Sequence, residues 1–315
     1  MNTLGDGSSN GTTNAPPSQS YYGRPIVKPH VWRPYIPWYF WIGGAAGAAA
    51  VECVCARMRG AHRLATVEKR AALLGVMIAP VLLIADLGVP ARFVNMLRVF
   101  KLTSPMNMGT WILSAFGGAI AGSTAAEILG WQRTSRTLEV VAGGIGPALT
   151  VYTAVLVADT ATPVWHAAGD TLPFVFAASG VASAGAIGAA FAPREESGSA
   201  RRLMIGGAIG LLIAGSTMET RLGPLLAEPY RTGKAGEFRS TSMVLSLAGI
   251  VFGALGRKNQ TATRIAAACI AGACILERFA VTTAGKQSAL DPKYTVEPQR
   301  ARLEAGARET ISTAR

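Results

Sequence analysis

About eight stretches of this chain are apolar over nearly the ~20 residues that an α-helix needs to cross a bilayer, and short clusters rich in Arg and Lys separate them. They lie near residues 38–56, 71–87, 108–129, 138–158, 172–192, 203–218, 240–255 and 265–283, the second, sixth and seventh being the shortest. A soluble fold would have no need to confine its charges in this way. The pattern predicts an all-α integral membrane protein, a bundle of about eight transmembrane helices over residues 37–284, with tails at 1–36 and 285–315. No connector is long enough to hold a separate soluble domain.

Composition agrees, with half of the residues hydrophobic, only 15% charged and 36 glycines among 315 residues. The net charge of +12 would suggest a nucleic-acid partner in a soluble protein. Here the cations fall between spans, so the positive-inside bias accounts for them and no nucleic acid is expected. Connectors near 57–70, 133–136, 194–202 and 257–264 carry thirteen Lys and Arg, against seven near 92–101 and 221–239. That asymmetry puts the first set in the cytoplasm and both termini outside. The polar segment 1–20 lacks the charged and apolar regions of a secretory signal and reads as a disordered tail. Cys53, Cys55, Cys269 and Cys274 sit inside apolar runs without metal-ligand spacing and read as packing thiols. Small-residue patches such as "GGAAGAAA" at 43–50 and "GGAIAGSTAA" at 117–126 let helices approach closely where van der Waals packing drives association.

Electron transport is one job for such a chain, but an intrinsic dihaem site needs histidines within the spans. His30, His62 and His166 all lie in tails or connectors. With no haem expected, electrons would travel on a lipid-soluble carrier or a partner's cofactor. Carboxylates in or at the ends of spans are costly in lipid and are candidates for proton or substrate roles: Glu52, Asp86, Glu127, Glu139, Asp159, Glu219 and Glu277. Glu277 and Arg278 are adjacent, so on a helix they face apart and must find partners elsewhere. Asp86 and Asp159 end the second and fourth spans on the outer side. Tyr39 begins the first, and Tyr152 lies about two turns before Asp159. These four groups are expected to converge on one pocket near the outer surface, where a tyrosine hydroxyl can donate to a quinone carbonyl and a carboxylate can relay its proton.

The connector "ADLGVPARFVNMLRVFKLTSPMNMGTW", 85–111, is too polar to span. Gly88 and Pro90 end the second helix there. Phe93, Met96, Leu97 and Phe100 then follow the spacing of an interfacial helix, with Arg92, Arg98 and Lys101 on its charged edge. Such an element can roof a pocket and present a docking surface, or it can anchor in lipid headgroups.

Three stretches carry a family resemblance: "YYGRPIVKPHVWRPYIPWYFWIGGAAG" at 21–47, "DLGVPARFVNMLRVFKLTSPMNMGTW" at 86–111 and "GKQSALDPKYT" at 285–295. Together they resemble the NrfD family, which includes the membrane subunit of polysulfide reductase. The resemblance implies an eight-helix anchor without haem in a bacterial cytoplasmic membrane, binding menaquinone or ubiquinone near the outer face. It also implies a ferredoxin-like iron-sulfur partner docked there, which holds all the iron-sulfur clusters, often with a molybdopterin catalytic subunit beyond it. In the polysulfide reductase relative, a histidine at the start of the first helix and a tyrosine in the fourth line the quinone pocket, and Tyr39 and Tyr152 occupy the matching positions. Arg92 and Trp111, within the second motif, complete the candidate quinone contacts, and Asp86 and Asp159 are the candidate proton-handling residues. The chain departs from the relative in having Tyr39 for histidine, a weaker donor that is neutral near pH 7. It departs again in having Asp159 for asparagine ahead of a shared P-x-W at 163–165. Two other classes remain open: a secondary transporter, for which no repeat between the halves is legible, and a non-redox structural anchor.

Overall fold

A computed structural model describes residues 25–256 and 259–313, and all regular structure among them is helical. The expected disordered tail at 1–20, and Arg257 and Lys258 of the charge count, lie outside the described residues. Eight long helices run α1 (Tyr35–Met58), α2 (His62–Leu87), α4 (Pro105–Ile128), α5 (Gln132–Ala158), α7 (Leu172–Phe191), α8 (Gly198–Ala227), α9 (Gly233–Leu255) and α10 (Gln260–Leu290). Three others are shorter or peripheral: α3 (Pro90–Arg98), α6 (Pro163–Ala167) and the C-terminal α11 (Lys293–Thr313). At 1.5 Å per residue the 26 residues of α2 reach ~39 Å, more than the hydrocarbon thickness of a bilayer.

Seven of the eight long helices meet the length and hydropathy of a membrane span. The eighth, α4, has 24 residues but dilutes its apolar positions with Asn, Ser, Thr and Gly. Several helices are apolar on their outer faces as well: Leu74, Met77, Ile78 and Val81 on α2 and Val244, Leu247 and Val251 on α9 are exposed. In water such faces would drive association, whereas acyl chains cover them at no cost. The chain is a multi-pass membrane protein.

Two four-helix groups make up the bundle. In the first, α1 packs on α2 and α5, and α4 closes against α5; in the second, α7 packs on α8 and α10, and α9 closes against α10. The same order of contacts thus recurs in both halves, a repeat the sequence does not display. The halves meet chiefly through α1 and α7. Close approach depends on glycine: a β-carbon on Gly47 of α1 would collide with the Gly146 carbonyl of α5, and one on Gly146 with the Gly47 carbonyl.

Buried ion pairs tie each half together. Lys69 of α2, only 3% exposed, pairs with Glu127 of α4 at 2.5 Å and with Glu139 of α5 at 3.0 Å, and Arg57 of α1 reaches Glu139 at 2.6 Å. In the second half Arg239 of α9 pairs with Glu219 of α8 at 2.8 Å and with Glu277 of α10 at 3.0 Å. Arg278 turns the other way, donating to the Phe176 carbonyl at 3.1 Å with its guanidinium 3.5 Å from that residue's ring centroid. This corrects two expectations. Lys69 and Arg239, counted as connector charges, lie inside the bundle, one from each side of the count, so the bias keeps its direction. Five of the seven candidate carboxylates are held in ion pairs, Glu52 by Arg59 at 3.0 Å, and they serve cohesion first.

Removing one partner of a buried pair strands the other charge, which typically costs ~3–5 kcal/mol. Arg239→Ala, stranding the fully buried Glu277 carboxylate, is expected to lower the thermal midpoint in detergent sharply. Arg231→Ala, at the exposed edge of the same network, should leave that midpoint nearly unchanged. Equal midpoints for the two variants would refute the assignment of cohesion to the buried pair.

Candidate functional site at the terminal end of the bundle

The start of α1, the end of α2, the start of α4 and the end of α5 meet at the end of the bundle that also carries both chain tails. There the sequence builds a corner. Gly88 takes φ +70°, a left-handed turn that ends α2, and Pro90 starts α3 at its first turn. The loop from α3 to α4 is clasped by Asn107. Its amide donates to the carbonyls of Met96 at 2.7 Å and Val99 at 2.8 Å, while its oxygen accepts from the Lys101 N–H at 2.8 Å. Ser104 caps α4 by accepting from the Asn107 N–H. The "TSPMN" run is therefore the loop's own fastening.

Beneath this roof is a cavity of about 90 Å³. Tyr39 and Phe40 of α1, Leu83 and Asp86 of α2, Met96 of α3, Thr110 of α4 and Tyr152 of α5 line it, with Trp32 from the N-terminal segment. Tyr39 is 3% exposed and Tyr152 8%, and neither hydroxyl has a hydrogen-bond partner among the described residues. Two phenol donors thus border an apolar space that holds a single carboxylate. Gly109 sets the position of Tyr152, because a β-carbon there would collide with the tyrosine ring. The space is smaller than the ~300–1,000 Å³ usual for ligand sites. Met96 and Met106, unbranched and flexible, are the walls best able to yield to a larger ring.

The N-terminal segment closes one side. Arg33 donates its backbone N–H to Asp86 Oδ1 at 2.8 Å. Trp32 stacks on Trp165 of α6 at a centroid distance of 5.4 Å, and His30 packs against both rings at 4.7 Å. Trp165 is fully buried and donates its indole N–H to the Val281 carbonyl at 2.8 Å, so the stack rests on a fixed base. Burial, and secondarily the positive charge of Lys286, lowers the His30 imidazole from 6.5 to about 4.

Of the six residues singled out from sequence, Tyr39, Asp86 and Tyr152 come together at this cavity, and the other three do not. Asp159, expected to converge with them, follows the end of α5 and lines a separate groove of about 660 Å³ with His166, Tyr294 and Arg302. Arg92 is exposed on α3, and the partner of Asp86 is the Arg33 backbone rather than this side chain. Trp111 donates to the Val99 carbonyl at 3.2 Å and meets Phe100 edge-on, fastening the loop outside the cavity. Sequence reasoning missed Trp32 and Thr110, although both fall near or within the quoted motifs.

Two outcomes follow from this geometry. Gly109→Ala should displace the Tyr152 ring and abolish any ligand occupancy of the cavity while leaving the helical content unchanged, as ligand retention and circular dichroism would show. His30 is neutral when docked down to about pH 4 but takes a proton below 6.5 when released, so the released segment binds more protons in that window. Docking of the segment is therefore complete above pH 6.5 and weakens as the pH falls toward 4. Acrylamide quenching of tryptophan should rise over that range, and His30→Phe should flatten the rise; a parental-like rise in His30→Phe would assign it to another group.

The chain was also compared with known proteins. A family model described as "Polysulphide reductase, NrfD" matches residues 26–214, more than half of the chain, and the match covers every residue lining the cavity. No curated protein matches. The chain belongs to the NrfD family, the membrane subunits of polysulfide-reductase-like oxidoreductases.

Proposed function

We propose that this chain is the quinone-reactive subunit of a respiratory oxidoreductase in a bacterial cytoplasmic membrane, with the tail-bearing end of the bundle outward. Electrons pass between a menaquinone or ubiquinone pool and a ferredoxin-like iron-sulfur protein docked at that end, and a molybdopterin subunit beyond it completes the complex. One observation carries this reading: two tyrosine hydroxyls, without hydrogen-bond partners among the described residues, and one carboxylate border an apolar cavity at the end of the bundle, in a chain of this family.

A quinol, when bound, supplies two electrons and two protons. The chain's own groups do the rest. Tyr39 and Tyr152 are placed to donate hydrogen bonds to carbonyl oxygens, fixing a ring between α1 and α5. Ile36, Phe40 and Leu83 keep water from the space and strengthen those hydrogen bonds. Asp86, half-buried at the mouth, takes up or returns the proton, with Oδ1 held by the Arg33 N–H and the second oxygen left for exchange. Thr110 bonds to its own helix at the Met106 carbonyl, 3.1 Å away, so it shapes the wall rather than handling protons. Exposed Arg92 fits a place on the docking surface, and Asp159, in its own groove beside α11, fits the same surface.

Asp86→Asn keeps shape and hydrogen bonding but loses proton exchange, so quinol-dependent reduction of the iron-sulfur partner should fall on the order of 10²-fold per assembled complex. Tyr152→Phe should raise the quinol concentration needed for half-maximal rate, with assembly intact. Unchanged specific turnover in Asp86→Asn would remove this carboxylate from the mechanism.

A further inference from the structure

A second, larger cavity lies toward the opposite end of the bundle, well apart from the tyrosine-lined one. The helices α5 and α8 stand apart there, and the gap between them is a cleft of about 510 Å³. Its floor is Ala48 and Val51 of α1 with Val181 and Ala184 of α7, and Val151 and Leu203 form the walls. All six are apolar, and several are small, so the gap accepts a chain rather than a side group. At the polar end of the cleft stand Glu52, Arg59, Ser199 and Arg202. These residues close α1 and open α8, where spans meet the headgroup region of a bilayer.

The charges at that end decide what fits. Glu52, 4% exposed, accepts from the Arg59 guanidinium and from the Ser199 hydroxyl, both at 3.0 Å. Arg59 is thus matched by Glu52. Arg202 is exposed and has no carboxylate partner among the described residues. The rim therefore carries one surplus positive charge beside a mostly apolar slot, and Ser199 adds a hydroxyl. A carboxylate head would meet Glu52 at close range. A neutral zwitterionic head would bring a cation next to Arg202.

We infer that this cleft is a binding site for an anionic phospholipid, with one acyl chain lying between α5 and α8 and the phosphodiester on Arg202. One phosphodiester charge balances the surplus, and its oxygens accept from the Arg202 guanidinium in the manner of charge-assisted pairs. The chain fills the gap between α5 and α8 over the floor formed by α1 and α7. This site is independent of the quinone reading, since none of its residues lines the cavity at Tyr39.

Native mass spectrometry of the delipidated protein, titrated with phosphatidylglycerol or phosphatidylcholine in the same detergent, tests it. Parental protein should retain phosphatidylglycerol about tenfold better, the effect of one charge-assisted hydrogen bond. Arg202→Gln should reduce retention to the phosphatidylcholine level, and Arg202→Lys should keep most of the preference. Val181→Trp fills the slot without touching charge and should abolish the preference as well, whereas Arg221→Gln, on α8 at the other end, should leave it intact. Equal retention of the two lipids by parental protein, or a preference that survives both Arg202→Gln and Val181→Trp, overturns the site. So does recovery of a quinone, in place of a phosphodiester lipid, from protein whose quinone retention is lost in Val181→Trp but not in Gly109→Ala.

Discussion

Everything in this bundle depends on how little side chain α1 carries along its middle. The helix runs through "GGAAGAAA", and those positions are where α2, α5, α7 and α10 gather around it. Gly47 meets Gly146 backbone to backbone, and a β-carbon on Gly180 of α7 would press on the Gly44 carbonyl at 3.0 Å. In lipid there is no hydrophobic gain from bringing apolar helices together, so close van der Waals contact must supply the association. Bulk on α1 would push α5 outward and take Tyr152 with it. The spacing of the two tyrosines across the cavity is thus set roughly two to three turns away, by residues that have no chemistry of their own.

Charge then locks what small residues allow. The first half is pinned at one end by Lys69, Glu127, Glu139 and Arg57, and the second at the other by Glu219, Arg239 and Glu277. The first network joins α1, α2, α4 and α5 and the second joins the consecutive helices α8, α9 and α10, and the links to Glu139 and Glu277 are expensive to break because those carboxylates are buried. This leaves the region around the cavity almost free of fixed charge, with Asp86 its one ionisable carboxylate.

Much of this was legible from hydropathy alone. Number and order of helices follow from apolar runs, and the Gly88 and Pro90 break shows where α2 must end. Height along the bundle was also legible, and for that reason Tyr39, Asp86 and Tyr152 were rightly placed at one level. Direction around a helix was not, and for Asp159 height failed as well. Asp159 lies ~10 Å farther along α5 than Tyr152, so the same rise that puts the tyrosine in the cavity carries the aspartate past its roof. Lys69 and Arg239 looked like connector charges because their partners sit on helices that no local pattern names. Trp111 and Asn107 belong to one motif, yet their bonds to the α3–α4 loop emerge only once that loop folds back. The repeat between halves is a matter of packing order, and packing order leaves no trace in composition.

Tyr39 and Tyr152 bring hydroxyls to the cavity, and Asp86 brings its carboxylate. The Asp86 Oδ1 accepts the Arg33 N–H at 2.8 Å. A carboxylate accepts that bond roughly twice as strongly as its protonated form does. That hydrogen bond therefore makes the ionised carboxylate and the docked N-terminal segment favour one another. His30 and Trp32 sit on the same segment against Trp165, so the segment moves as a stacked unit or not at all. The carboxylate at the mouth and the segment that closes the cavity are thus joined by a single hydrogen bond of 2.8 Å.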